Sequence, residues 1–94
     1  MDIHYTYLFD YYGELFTDKQ KEYFVNYYFN NLTLQEIADN AGVSKNAVHK
    51  NIKDITAKLD YYESKLKLYE NSKKIKKLIE NVDEDLKNKI EELI

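Results

Sequence analysis

From Thr33 to Ile52 the chain reads Thr-Leu-Gln-Glu-Ile-Ala-Asp-Asn-Ala-Gly-Val-Ser-Lys-Asn-Ala-Val-His-Lys-Asn-Ile, and no other stretch restricts the fold as tightly. Ala38 stands where two helices crossing at close range admit only a small side chain. Gly42 follows at a tight turn, where a positive φ is cheap. Val43, Val48 and Ile52 are expected to supply the apolar contacts that hold the second helix across the first. Each helix start has a local cause. Thr33 with Glu36 three residues on is a capping box, and Ser44 is a favourable cap for the second helix. The pattern is that of a helix-turn-helix. It leaves Ser44, Lys45, Asn46, His49, Lys50 and Lys53 pointing outward, where such motifs present side chains to a DNA major groove. Thr33 and Ser44 are expected to lend hydroxyls to phosphates. The same helix pair also serves as a protein-binding scaffold, so the motif alone leaves the partner open.

The remaining apolar residues recur at helical spacing, and nothing shows the alternation that a β-hairpin needs. Ile3, Tyr7, Leu8, Tyr11, Tyr12 and Leu15 form a first stripe. A second helix opens at the Thr17/Gln20 capping box, carries Tyr23, Phe24, Tyr27 and Tyr28 on one face, and closes at Asn30-Asn31. Beyond the motif, Val48, Ile52, Ile55, Leu59, Tyr62, Leu66 and Tyr69 alternate steps of four and three, which is a coiled-coil seam. Val48 and Ile52 must face the motif's own first helix, so a self-association surface is expected to start at Leu59 and run through Tyr62, Leu66 and Tyr69. Lys73 and Lys76 end the register. Ile75, Leu78, Ile79, Val82, Leu86, Ile90, Leu93 and Ile94 continue as an amphipathic tail, with Asp83 positioned as an N-cap. The expected fold is all-α: a helix-turn-helix domain with N-terminal helices over residues 1–56, then a C-terminal helical dimerisation extension over 57–94, comprising a long helix and a short tail helix.

Charge is distributed unevenly. The net charge of −3 opposes a polyanionic partner, yet residues 45–77 hold ten lysines against four acids, while residues 1–44 hold two against seven and residues 78–94 two against six. The positive segment begins at the helix expected to meet DNA. All fourteen basic residues are lysine, which lacks the planar fork that reads guanine. Eleven of the fourteen aromatics fall within the first 29 residues, beside Asp10, Glu14 and Glu22, a setting that suits packing better than base stacking.

Catalysis finds little footing. His4 and His49 stand on different segments, with no phosphate loop or metal-ligand spacing nearby, so neither a cofactor, a metal nor an enzymatic role is expected. The N-terminus has neither a basic leader nor an apolar core, and no stretch is long enough to span a membrane. A cytoplasmic protein is the expectation.

Three blocks together resemble a known family. Tyr7-Leu8-Phe9-Asp10-Tyr11-Tyr12-Gly13-Glu14-Leu15-Phe16-Thr17-Asp18-Lys19-Gln20, the motif with Ser44-Lys45-Asn46-Ala47-Val48, and Leu59-Asp60-Tyr61-Tyr62-Glu63-Ser64-Lys65-Leu66 are similar to the YlxM family of small bacterial helix-turn-helix proteins. The central part also resembles the fourth region of bacterial sigma factors, which reads promoter DNA. The resemblance implies a sigma-like all-helical domain, a homodimer formed through the C-terminal helix, and a DNA-binding regulator linked to the signal recognition particle pathway. The alternative it leaves open is an adaptor that touches protein or RNA components of the signal recognition particle without binding DNA.

Overall fold

The computed structural model describes residues 2–94 and contains six α-helices and no strand among them. They are α1 (His4–Tyr12), α2 (Asp18–Phe24), α3 (Leu34–Ala41), α4 (Lys45–Leu66), α5 (Leu68–Leu78) and α6 (Glu84–Glu91). A 3₁₀ turn at Gly13–Leu15 follows α1, and α2 widens into a π-helical turn at Val25–Phe29. None of these helices is long and apolar enough to cross a membrane.

Local chemistry sets the helix starts. The Thr17 hydroxyl accepts from the Gln20 amide at 3.2 Å, while the Thr17 amide donates to Gln20 Oε1 at 2.9 Å. Thr33 and Glu36 repeat the arrangement at 3.1 and 3.0 Å. Ser44 Oγ accepts from the Ala47 amide at 3.1 Å, and Asp83 caps α6 through the Leu86 amide at 3.4 Å. Each of these satisfies an amide that has no partner inside its helix.

The core gathers around α4. Val48, Ile52, Ile55 and Leu59 are buried against Leu8 and Tyr12 of α1, Tyr23 and Phe24 of α2, and Ile37 and Ala38 of α3. Phe9 and Phe24 stack with centroids 4.2 Å apart, and Tyr28 continues the stack at 4.4 Å, so these three aromatics belong to the core. The first stripe is narrower than its spacing suggested. Leu8 and Tyr12 are buried, but Ile3, Tyr7 and Leu15 are exposed, because one face of so short a helix meets α4.

The expected seam does not form one outward surface. Leu59 is completely enclosed within its own chain, and Tyr62 and Tyr69 lie half-buried against the same core; of the four, only Leu66 is exposed, at 52%. The seam also breaks. Lys67 takes a left-handed conformation (φ 54, ψ 32), α4 ends there, and α5 packs back on α1. Tyr11 donates to the buried Ser72 hydroxyl at 2.8 Å, and Tyr7 stacks on Tyr69 with centroids 5.6 Å apart. α4 itself runs unbroken through residues 56 and 57, where the two expected segments were to meet. In the tail, Ile79 is buried whereas Leu78 and Leu93 are 80% and 84% exposed.

Candidate nucleic-acid interface

The helix-turn-helix is α3, the turn at Gly42 and the first half of α4. Gly42 closes α3 at φ 68, in the left-handed region, and an added Cβ there would meet no atom within 4 Å. The turn therefore needs glycine for its backbone angle and not for space. Ala38 is fully buried at the crossing, and the Val43 amide donates to its carbonyl at 3.1 Å. Val48 and Ile52 lock α4 across α3 as the spacing required. Val43 does not: it is 39% exposed, since the left-handed step at Gly42 turns it away from the crossing.

With Val48, Ile52 and Ile55 turned inward, the opposite side of α4 faces solvent. Ser44, Lys45, Asn46, His49, Lys50 and Lys53 are all exposed, as is Thr33 at the start of α3. Among the described residues the ion pairs are Lys21 with Glu14 and Lys74 with Glu70, each at 3.3 Å. Lys45, Lys50 and Lys53 thus have no carboxylate within ion-pair distance, and their charge is available to a polyanion. The two hydroxyls expected to meet phosphate are already acceptors in helix caps, so each has only its proton left to offer a phosphate oxygen.

Sequence reasoning missed a cleft of about 420 Å³ beside this face. It is lined by the half-buried Tyr27, Leu32 and Leu34 and by the exposed Asn31, Thr33, Gln35 and Lys45. Lys45 belongs to both surfaces. The π turn contributes Tyr27 to this lining, and the loop after it contributes Asn31. In the π turn the Asn30 amide reaches Val25 O at 3.0 Å, the Leu32 amide reaches Asn26 O at 2.9 Å, and Asn31 takes φ 56. The only advance signal was Asn30-Asn31 as a helix stop.

On the far side of α4 a second polar cluster fixes the joint with α5. Glu63 accepts from the Tyr12 hydroxyl at 2.6 Å and from the amides of Tyr69 and Glu70 at 3.1 and 3.0 Å. Tyr12 in turn accepts from the Leu68 amide at 3.0 Å. Burial, together with the bond to Glu63, pushes the Tyr12 phenol up to about 12. Burial also pulls the Glu63 carboxyl upward, but its three hydrogen bonds outweigh this and leave it below its ordinary value. Tyr5 is likewise raised to about 12, chiefly by its 2.9 Å bond to Asp60.

Comparison with known proteins agrees with this geometry. The family model UPF0122, described as "Putative helix-turn-helix protein, YlxM / p13 like", matches residues 2–94. A UPF0122 protein of Malacoplasma penetrans is 41% identical over 92 residues, covering 92% of this chain and 86% of the relative. One from Bacillus pumilus is 46% identical over 78 residues, covering 83% and 71%. One from Fusobacterium nucleatum is 42% identical over 88 residues, covering 93% and 85%.

Proposed function

Because the chain belongs to UPF0122, the YlxM/p13-like helix-turn-helix family, we propose that it binds DNA through the exposed side of α4 and acts as a regulator. One observation carries the reading: three lysines with no acidic partner lie along the outward side of a helix whose inward side is fixed by Ala38, Val48 and Ile52. Lys45, Lys50 and Lys53 hold phosphates. Asn46 can pair with the N6/N7 edge of adenine, and His49 lies within the same exposed turn. The test is a titration of a labelled mixed-sequence duplex, followed by anisotropy across a salt series. Neutralising about three phosphates per chain gives a log–log salt slope of roughly −3, and a dimer roughly −5. A folded Lys45→Ala/Lys50→Ala/Lys53→Ala variant that binds as tightly as the parent rules the reading out.

Homodimerisation and a link to the signal recognition particle pathway are part of the proposal and rest on the family resemblance. With Leu59 enclosed, a dimer contact is assigned to Leu66 and to the exposed Leu78, Leu86 and Leu93 of the C-terminal half. Sedimentation of a Leu66→Lys/Leu78→Lys variant tests it, a shift to monomer being expected. The exposed leucines and acidic end of the tail also favour an adaptor reading, in which a protein partner binds there. A pull-down from lysate with and without DNase separates the two, since a DNA-bridged complex disappears on digestion and one held by protein or RNA does not.

A further inference from the structure

We propose that Lys67 is a one-residue hinge held bent by a latch, formed by the Tyr12 hydroxyl and the Glu63 carboxylate, and that opening the latch joins α4 and α5 into a single helix from Lys45 to Leu78. The device lies apart from the outward side of α4 and works whether or not that side meets DNA.

The break between the two helices is confined to one residue. The Lys67 amide still donates to Glu63 O at 2.9 Å and the Asn71 amide to Lys67 O at 2.8 Å, so the helical ladder is interrupted only between them. In an unbroken helix the amides of Leu68, Tyr69 and Glu70 would bond the carbonyls of Ser64, Lys65 and Leu66. Here they turn to side chains instead: Leu68 to the Tyr12 hydroxyl at 3.0 Å, Tyr69 and Glu70 to the Glu63 carboxylate at 3.1 and 3.0 Å. Lys67, at the head of α5, supplies no side-chain cap of its own. Nothing in the local sequence asks for a stop. Residues 63–71 contain neither proline nor glycine, yet Lys67 takes φ 54, ψ 32, a conformation costly for a lysine. Such strain persists only where the surroundings impose it, and it concentrates at switches. The straight form recovers the interrupted backbone bonds and relaxes Lys67; the bent form keeps the latch and the packing of α5 on α1. That packing is less extensive than the packing of α4 on α1. Tyr69 stacks on Tyr7 and Ser72 bonds Tyr11, beside a cleft of about 250 Å³ lined in part by Tyr11, Leu68, Ser72 and Ile75. Opening the hinge carries Leu78, with Leu86 and Leu93 behind it, away from α1. The exposed leucines of the C-terminal half therefore have two settings relative to the outward side of α4, and any contact made in only one of them shifts the population.

The chain has no cysteine, so Asp10→Cys on α1 and Lys77→Cys on α5, both at exposed positions, give one spin-labelled pair whose separation reports the hinge. The labelled parent is expected to show a single distance population. Tyr12→Phe/Glu63→Ala removes the latch and is expected to add a second population at longer separation, with helix content by circular dichroism kept or raised. Adding Lys67→Gly to that variant is expected to restore the parent's population, because glycine accepts the left-handed angles and weakens the straight helix. A general loss of packing would not be reversed in this way. The proposal is overturned if the latchless variant keeps only the parent's population, if its helix content falls as the longer population appears, or if Lys67→Gly fails to reverse the change. Should the latchless variant not fold, Lys67→Gly in the parent decides alone. Relief of strain at the hinge should raise the thermal midpoint by a few degrees, and a midpoint that stays or falls overturns the proposal.

Discussion

The hydroxyl of Tyr12, at the end of α1, lies 2.6 Å from Oε1 of Glu63, one turn before the end of α4. Through it, residues 51 positions apart join the end of α1 to the last turn of the long helix. The Glu63 carboxylate reaches past Lys67 to the first free amides of α5, so one side chain fastens α1 and α4 and caps α5.

Tyr12→Phe is expected to destabilise the fold by about 1–2 kcal/mol, because it leaves a half-buried carboxylate oxygen short of one donor and the Leu68 amide without a partner. The pH dependence has two limbs. Glu63 is held below its ordinary 4.5 in the fold, so its contribution is complete above that value and is lost as pH falls through the lower, folded one. Tyr12 is raised from 10.0 to about 12, so its contribution is complete below 10 and is lost as pH rises toward 12. Urea denaturation of Glu63→Gln across the acid range should show a flatter profile than the parent. An unchanged acid limb would mean that Glu63 does not hold the joint.

Leu59 and Leu66 occupy equivalent positions in the heptad pattern but different surroundings. Leu59→Ala should cost about 2–5 kcal/mol, since it empties space between α1 and α4, whereas Leu66→Ala should stay within about 0.5 kcal/mol in the monomer. Denaturation midpoints at low protein concentration measure both. Equal costs would contradict the burial difference and restore a continuous seam.

Gly42→Ala isolates backbone strain from packing. Nothing lies within 4 Å of the added Cβ, so the expected loss of about 1–2 kcal/mol is the cost of a left-handed alanine. Gly42→Asn should lose less, because asparagine tolerates that conformation better. A loss well above this range on thermal denaturation would point to a steric role that the structure does not show.

Local features were legible in the sequence and distant ones were not. The caps at Thr17, Thr33, Ser44 and Asp83 could be read because donor and acceptor lie three residues apart, and Gly42 because its φ requirement is local. The motif's spacing likewise announced which side of α4 would be exposed. The stop at Lys67 was invisible, since neither proline nor glycine marks it and the amide that follows is met by a tyrosine from α1, 56 positions away. The π turn also escaped, because nothing in Val25–Phe29 departs from an ordinary helical pattern. The cleft went unseen because Tyr27 and Lys45 become neighbours only once α3 is folded between them.

Ser44 allows stability to be separated from binding. Its hydroxyl accepts from the Ala47 amide, so Ser44→Ala should lose about 1 kcal/mol along with any phosphate contact, and a drop in DNA affinity there would be ambiguous. Ser44→Asp resolves this. Aspartate caps as well as serine, and its charge suits a helix start, so stability should be kept or rise slightly. The same carboxylate, placed beside Lys45 at the head of α4, would stand against incoming phosphates and offset one lysine. Duplex affinity should therefore fall about tenfold while the thermal midpoint holds, and the salt slope should shallow by roughly 1. A Ser44→Asp protein that melts like the parent and also binds DNA like the parent would place the nucleic-acid contact away from the head of α4.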